Sequence, residues 1–371
     1  MTLRIDRIEL FHMSMTLTQP FETSFGVEHE RPCILVRLEG GGAVGWGECV
    51  AGSGPWYTYE TVRTAWHVLA EFLVPPVLGV ELDGPASVAD RLRRVRGHPM
   101  AKAGLEMACW DLAANQAGVS LAHLLGGARE RVEVGVSIGI QPTIDALIER
   151  IHDFVAQGYR RVKIKIKPGW DVAVTRTVRE TFPALRLQVD ANSAYQPGDV
   201  GLFEAIDDLD LLLIEQPLDH DDIFDHAALQ RALRTPICLD ESIGSVDDAR
   251  AALELGSCRN INIKPGRVGG HTASKRIHDL CLARGIPVWH GGMLETGIGR
   301  AHNIALASLP GFVLPGDISA SDRYYHADIV DPPFVLNDDS TISVPTGPGL
   351  GVIVAEDHIR RRALQTSRFT L

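Results

Sequence analysis

A (β/α)8 barrel of the TIM type, carrying a smaller α+β cap, is the fold this sequence predicts, and three observations point to it. After about residue 130 eight short apolar runs follow one another: VEVGVSIGI, RVKIKIK, LRLQVDAN, LLLIEQP, TPICLDES, RNINIKPG, IPVWHGGM and GFVLPGDIS. From the second run onward each has a polar residue at or near its end, at Lys165, Asp190, Glu215, Asp240, Lys264, His290 and Asp317, with gaps of 25, 25, 25, 24, 26 and 27. A strand, a crossover helix and two loops repeat at this period when parallel strands close into a barrel. The competing doubly wound sheet finds no support, since no G-x-G-x-x-G opens a first strand and no Walker lysine loop is present.

The elements before the barrel read differently. RIDRIELFHMSM and CILVRLEG have the alternation of strands, and GGGAVGWGECV reads as a turn with a returning strand. YETVRTAWHVLAEFLVPPVLG and MAKAGLEMACWDLAANQAG space their apolar residues at three and four, as helices do, and end at Pro or Gly. Residues 1–130 are therefore expected to form the α+β cap and residues 131–324 the barrel. The Pro- and Gly-rich segment 325–371 has no further strand–helix unit and is expected to return to the cap.

Composition narrows the partners. With 36 Lys+Arg against 47 Asp+Glu the net charge is −11, the acidic residues are scattered, and neither nucleic acid nor an anionic membrane surface is suggested. Small molecules are the expected ligands. The six cysteines form no C-x-x-C pair, so neither a disulfide framework nor a thiolate zinc site is implied, and a reducing cytoplasmic setting fits. The N-terminus lacks an apolar signal region, and no run approaches the length of a membrane span.

Barrel sites lie at the C-terminal ends of the strands, so the periodic polar residues should converge. Asp190, Glu215 and Asp240 end three consecutive strands and offer three oxygen donors, half an octahedral shell for Mg2+, with Mn2+ or Co2+ able to replace it. The plainer reading, three separate helix caps, does not explain why they keep one phase. Lys165 on the second strand and Lys264 on the sixth would face each other across the pocket. Lys163, two residues before Lys165, would add a positive charge that disfavours the Lys165 ammonium and helps it act as a base, and it could also touch the carboxylate end of the substrate. Arg267 could act likewise beside Lys264, with a solvated loop arginine as the competing reading. Lys167 keeps the parity of the other two lysines but adjoins Pro168-Gly169, which makes it a rim residue. A metal held by carboxylates between opposed amines suits removal of the proton α to a carboxylate through an enediolate.

At these residues the sequence resembles the enolase superfamily, and within it the muconate lactonizing enzyme subgroup, with K-x-K on the second strand and a lysine on the sixth. KIKIKPGWD, LQVDANSAY, LLLIEQPL, TPICLDESI, NIKPGRVGG, PVWHGGMLETGIGRAHN, LPGDISASDRYY and VPTGPGLGV look like the N-succinylamino acid racemase / o-succinylbenzoate synthase family. The resemblance implies a modified (β/α)7β barrel, Lys165 and Lys264 as the acid/base pair, Asp190, Glu215 and Asp240 as Mg2+ ligands, and a homo-octamer or dimer. It places Ser137, Asn192, Gly292 and Met293 against the substrate. It also makes QPFETSFGVEHE, residues 19–30, a mobile loop of the cap, with Phe21, Phe25 and Tyr57 as apolar walls or, alternatively, core aromatics.

Three alternatives stay open. A dipeptide epimerase would carry an acidic D-x-D after the eighth strand, where this chain has GDISASD; a muconate-type cycloisomerase belongs to the same subgroup; a non-catalytic barrel would not need lysines and carboxylates in phase. His290 has no Asp on the sixth strand to form a dyad with, so it reads as a packing residue or as one that supports the site from behind.

Overall fold

The computed structural model describes residues 2–371. Alternating apolar residues near the N-terminus build the strands β1 (Arg7–Thr23), β2 (Gly26–Gly40) and β3 (Ala43–Cys49), paired in that order and antiparallel. Helix α1 (Pro99–Ala117) lies on this sheet. The two approach closely because β3 carries glycine where they meet: a Cβ on Gly47 would stand 2.2 Å from the Gly104 carbonyl oxygen, and one on Gly45 2.4 Å from that of Ala108. Ile34, Val36, Leu105, Ala108 and Leu112 are among the buried residues of this cap core.

Residues 19–30, expected as a loop, are the end of the β1–β2 hairpin instead. Phe21 pairs with Glu28 and Thr23 with Gly26, after an irregularity between Thr16 and Phe21. The hairpin end docks on the barrel rim, where Ile140 N donates to the Glu22 carbonyl (3.0 Å) and Ser24 Oγ to that of Asn192 (3.0 Å). These contacts with the barrel give the segment an ordered pairing that its composition does not suggest.

The barrel strands are β4 (Val136–Ile138), β5 (Arg161–Lys165), β6 (Arg186–Asp190), β7 (Ile214–Glu215), β8 (Ile237–Leu239), β9 (Asn260–Ile263) and β10 (Val288–His290). They form one parallel sheet in sequence order, and each is followed by helix. The eighth run closes the ring without forming a regular strand: Asp317 N donates to the His290 carbonyl (2.8 Å), Gly316 N to that of Glu133 (2.9 Å), and Gly135 N to that of Gly316 (2.8 Å). Among the described residues only a short 3-10 turn, Ser321–Arg323, follows the eighth segment before the chain leaves the barrel, so the architecture is the (β/α)7β variant.

The alternation in RVKIK follows from this closure. Val162, Ile164, Leu187, Val189, Ile261 and Ile263 join the large core that also holds helix residues. Residues of the opposite parity fill the lumen, where Leu213, Cys238 and Trp289 form a small apolar plug beneath polar groups. A barrel has no edge strand, so both faces of β5 are covered and all five of its residues are buried. All six cysteines are buried and unpaired.

Beyond residue 325 the chain returns to the cap as β11 (Gln365–Thr370), which pairs along β1 from His12 to Arg7. On the way Thr341–Ser343 pairs with Arg131–Glu133, so the segment also covers the lower end of the barrel. The Ser340 hydroxyl secures it, donating to the Val134 carbonyl (2.8 Å) and accepting from Arg160 N (3.1 Å). Among the described residues no helix is long and apolar enough to cross a membrane.

Candidate active site

Parallel register sets Lys165 level with Asp190, and Asp190 level with Glu215. Lys165 Nζ lies 2.6 Å from Asp190 Oδ2 and 2.8 Å from Asn192 Oδ1. Lys163 Nζ stands among three carboxylates, 3.0 Å from Asp190, 2.8 Å from Glu215 and 2.5 Å from Asp317, and 5.0 Å above the Trp289 ring. An ammonium has three N–H donors. Three carboxylates take those of Lys163, so its expected contact with a substrate carboxylate is not built into this arrangement. Asp317 is itself held by Arg161 (2.6 Å).

On the other side Lys264 Nζ lies 2.7 Å from Asp240 Oδ2 and 3.0 Å from the Tyr57 hydroxyl, 4.7 Å over the tyrosine ring. Arg267 is buried, not solvated: it pairs with Asp240 and donates to the Ile243 (2.7 Å) and Asn262 (2.5 Å) carbonyls. Glu215 is further held by Asn262 Nδ2 (2.7 Å).

The backbone just past two of these carboxylates is left-handed, with φ of +42° at Asn192, +62° at Ser193 and +38° at Gln216. Such residues store ~1–3 kcal/mol each and persist where surrounding bonds hold them. Here Asn192 N donates to Asp190 Oδ1 (3.0 Å), and Gln216 Oε1 accepts from Asp240 N (3.0 Å) and Ser242 N (3.3 Å).

Charge is balanced unevenly. Burial works against the Asp190 and Asp240 carboxylates, but Lys165 and Lys163 for the first, and Lys264 and Arg267 for the second, outweigh it and hold both below the usual range. Glu215 goes the other way, raised by burial and by the nearby Asp190. Burial also disfavours the Lys264 ammonium, yet Asp240 keeps it above the usual lysine value.

Three buried carboxylates offer the oxygen donors a hard divalent cation takes. Beside them Glu241 Oε2 and Asn262 Oδ1 are buried without hydrogen-bond partners. The residues therefore fit Mg2+ chemically. Among the described residues, the three ligand atoms that gather within 4.8 Å of one another belong to Asp219, His220 and Asp221, an exposed set after β7, and not to this trio, which has lysine and arginine cations between its members.

A cavity of about 200 Å³ lies where these groups meet the cap. Lys163, Lys165, Lys264, Ser137, Asn192, Gly292 and Met293 line it from the barrel, and Phe21, Phe25 and Tyr57 from the cap. Gly292 is required there, since a Cβ would stand 2.8 Å from the Asp317 carbonyl oxygen. Arg267, Asp190, Glu215 and Asp240 are not on this wall; the three carboxylates pair with the lysines that are, and Arg267 pairs with Asp240. Sequence reasoning marked Asp317 by its phase without giving it a partner, and it missed Arg161, Asn262 and Glu241 as members of the charge network and Trp56, Leu294 and Tyr324 as wall residues. Lys167 sits at the rim, 3.1 Å from Glu22 of the hairpin. His290 lies outside the cavity wall, its Nδ1 2.7 Å from the Gly291 carbonyl and its ring stacked on Phe312 at 6.0 Å; burial pushes its pKa down to about 4.

Known proteins resemble this chain in both of its domains. Residues 7–126 match the mandelate racemase / muconate lactonizing enzyme N-terminal domain, and residues 146–358 match the family described as enolase C-terminal domain-like. The chain is 54% identical to the o-succinylbenzoate synthase of Geobacillus kaustophilus, over 97% of this chain and 96% of that one. It is 48% identical to the N-succinylamino acid racemase of Thermus thermophilus, over 98% of each. A solved enolase-superfamily structure from Listeria innocua superposes with a TM-score of 0.95 at 41% identity, covering 99% of both chains. Matched in both its domains and along almost its whole length, the chain is an enzyme that belongs to the enolase superfamily.

Proposed function

We propose that this enzyme removes the proton α to a substrate carboxylate with Mg2+ bound at Asp190, Glu215 and Asp240, acting as an N-succinylamino acid racemase, an o-succinylbenzoate synthase, or both. One observation carries the reading: Lys165 and Lys264, four strands apart, both reach the same cavity wall, each beside a different carboxylate of the trio. Bound there, Mg2+ supplies the positive charge that makes the enediolate accessible.

The chain's own residues then divide the work. In racemisation Lys165 as the amine takes the α-proton from one face, and the Lys264 ammonium returns one to the opposite face. In o-succinylbenzoate formation Lys165 takes the proton and then, as the ammonium, protonates the departing hydroxide on the same face. Lys264 stays charged and holds the enediolate. Lys163, fixed among carboxylates, keeps a positive charge beside Lys165. Phe21, Phe25 and Tyr57 exclude water, while Ser137, Asn192, Gly292 and Met293 orient the substrate. The dipeptide reading is disfavoured by Asp317, whose carboxylate already serves Arg161 and Lys163 and is not free to grip an ammonium. A homo-oligomer, dimer or octamer, accords with large apolar side chains left exposed at Phe224 and Ile353; light scattering decides between them.

The test is proton exchange. With Mg2+ in D2O, the enzyme should wash deuterium into the α position of N-succinyl amino acids, lose this with EDTA and regain it with Mg2+. Metal-stripped protein exchanging at the undiminished rate would overturn the mechanism. Parallel assays on dipeptides and on the cyclohexadiene precursor of o-succinylbenzoate separate the activities.

A further inference from the structure

The cations on the cavity wall are not equally engaged. Four side chains there carry positive charge: Lys163, Lys165, Lys264 and Arg31. The three lysines rise from the barrel, each ammonium within 3.0 Å of a carboxylate. Arg31 hangs from β2 in the cap and is 4% exposed. Its Nη2 donates to the Val50 carbonyl, but its nearest carboxylate, Glu28 Oε1, is 3.5 Å from Nη1. Charge-assisted bonds of this kind close to about 2.7–2.9 Å when well made. Glu28 itself lies towards the hairpin end, its side chain 32% exposed, with Oε2 buried and unpartnered. Another carboxylate near Arg31, Glu295, is occupied by Met293 N at 2.8 Å.

A buried guanidinium with a loose counter-ion is poorly satisfied, and its planar fork matches a carboxylate bidentately. The inference rests on the function proposed above, whose substrates share one feature besides the reacting carboxylate: a succinyl group ending in a second one. The reacting carboxylate belongs at the barrel floor, among the lysines and the proposed metal. The second must meet a cation elsewhere on the wall, and Arg31 is the one whose pairing leaves room. We propose that Arg31 binds the distal carboxylate of the succinyl substrate, displacing Glu28, which holds its place in the free enzyme.

The experiment compares N-succinyl and N-acetyl forms of one amino acid, by KM for racemisation and by calorimetric titration of the Mg2+ enzyme, in wild type, Arg31→Gln, Arg31→Lys and Glu28→Gln. Arg31→Gln should shift the N-succinyl to N-acetyl ratio against the succinyl form by roughly 10- to 100-fold. Arg31→Lys should restore part of it. Glu28→Gln, at a half-exposed position that leaves the Val50 contact intact, should shift the ratio the other way. Equal losses on both ligands, or an unchanged ratio, would overturn the assignment of Arg31. A wild type that binds with the expected ratio yet turns over neither ligand would instead overturn the reaction.

Discussion

The two lysines that end the second and sixth barrel strands on the cavity wall are held by different parts of the molecule. Lys165 is held wholly by the barrel, through Asp190 and Asn192. Lys264 shares Asp240 with Arg267 and also takes the Tyr57 hydroxyl, which comes from the cap. One side is complete within the barrel, while the other is completed by the neighbouring domain. If these are the proton-transfer groups, cap placement governs one hand of the reaction more than the other.

The strongest way to break this comparison is to remove either amine. Lys165→Ala and Lys264→Ala are each expected to lower racemisation by roughly 10²- to 10⁴-fold, while proton exchange from one enantiomer survives on the remaining lysine; polarimetry and deuterium incorporation check the two separately. Racemisation persisting in either variant would mean that the opposed lysines do not work as a pair.

The carboxylates sharpen it next. Asp240 is the carboxylate of both Lys264 and Arg267, so Asp240→Asn leaves two buried cations unpaired and should destabilise the metal-free protein by about 3–5 kcal/mol. Asp190→Asn should cost less, because it leaves only Lys165 without a carboxylate, Lys163 retaining Glu215 and Asp317. Urea denaturation with EDTA present distinguishes them, and equal losses would erase the proposed asymmetry.

His290 belongs to neither side and serves as the control. Burial lowers its pKa to about 4 in the folded protein, against ~6.5 in an unfolded chain. Between these values the unfolded chain holds the extra proton, so stability falls as pH drops from ~6.5 to about 4 and levels off below. His290→Phe should abolish that contribution, at most about 3 kcal/mol, while leaving proton exchange largely intact. Denaturation at several pH values measures the first, and a large loss of exchange would restore the histidine to the chemistry.

Tyr57→Phe removes a hydroxyl from the Lys264 side alone. Its expected effect is about 0.5–1.5 kcal/mol, or up to roughly tenfold, on exchange at that side and little at the other. Equal effects on both enantiomers would show that the cap contact does not discriminate. The smallest effect belongs to Lys167→Ala: its pair with Glu22 is more than a third exposed on each side, and losing it should lower stability by less than about 1 kcal/mol.

What was legible in the sequence follows from the same geometry. Asp190, Glu215, Asp240 and Lys264 stand out because a barrel repeats its strand ends at a near-constant interval, and a polar residue in that phase is visible without coordinates. Asp317 shares the phase, but its bond to Arg161 was hidden because Arg161 begins its strand. Asn262 was hidden for a similar reason: it faces the lumen one layer below Lys264, where polarity is set by closure and not by position at a strand end. Contacts between cap and barrel were least accessible. Tyr57 and Lys264 are 207 residues apart with no repeat linking them, and the end of the β1–β2 hairpin reads as a loop because its pairing is visible only beside the rim that supports it.

The burial of all six thiols has a practical consequence. A thiol reagent meets no cysteine on the surface of the folded chain, so each modification must wait for an opening of the fold. The six cysteines are spread from the cap, at Cys33, Cys49 and Cys109, to the barrel, at Cys238, Cys258 and Cys281. Labelling rates read peptide by peptide would time the opening of each domain in the native protein, with no added probe.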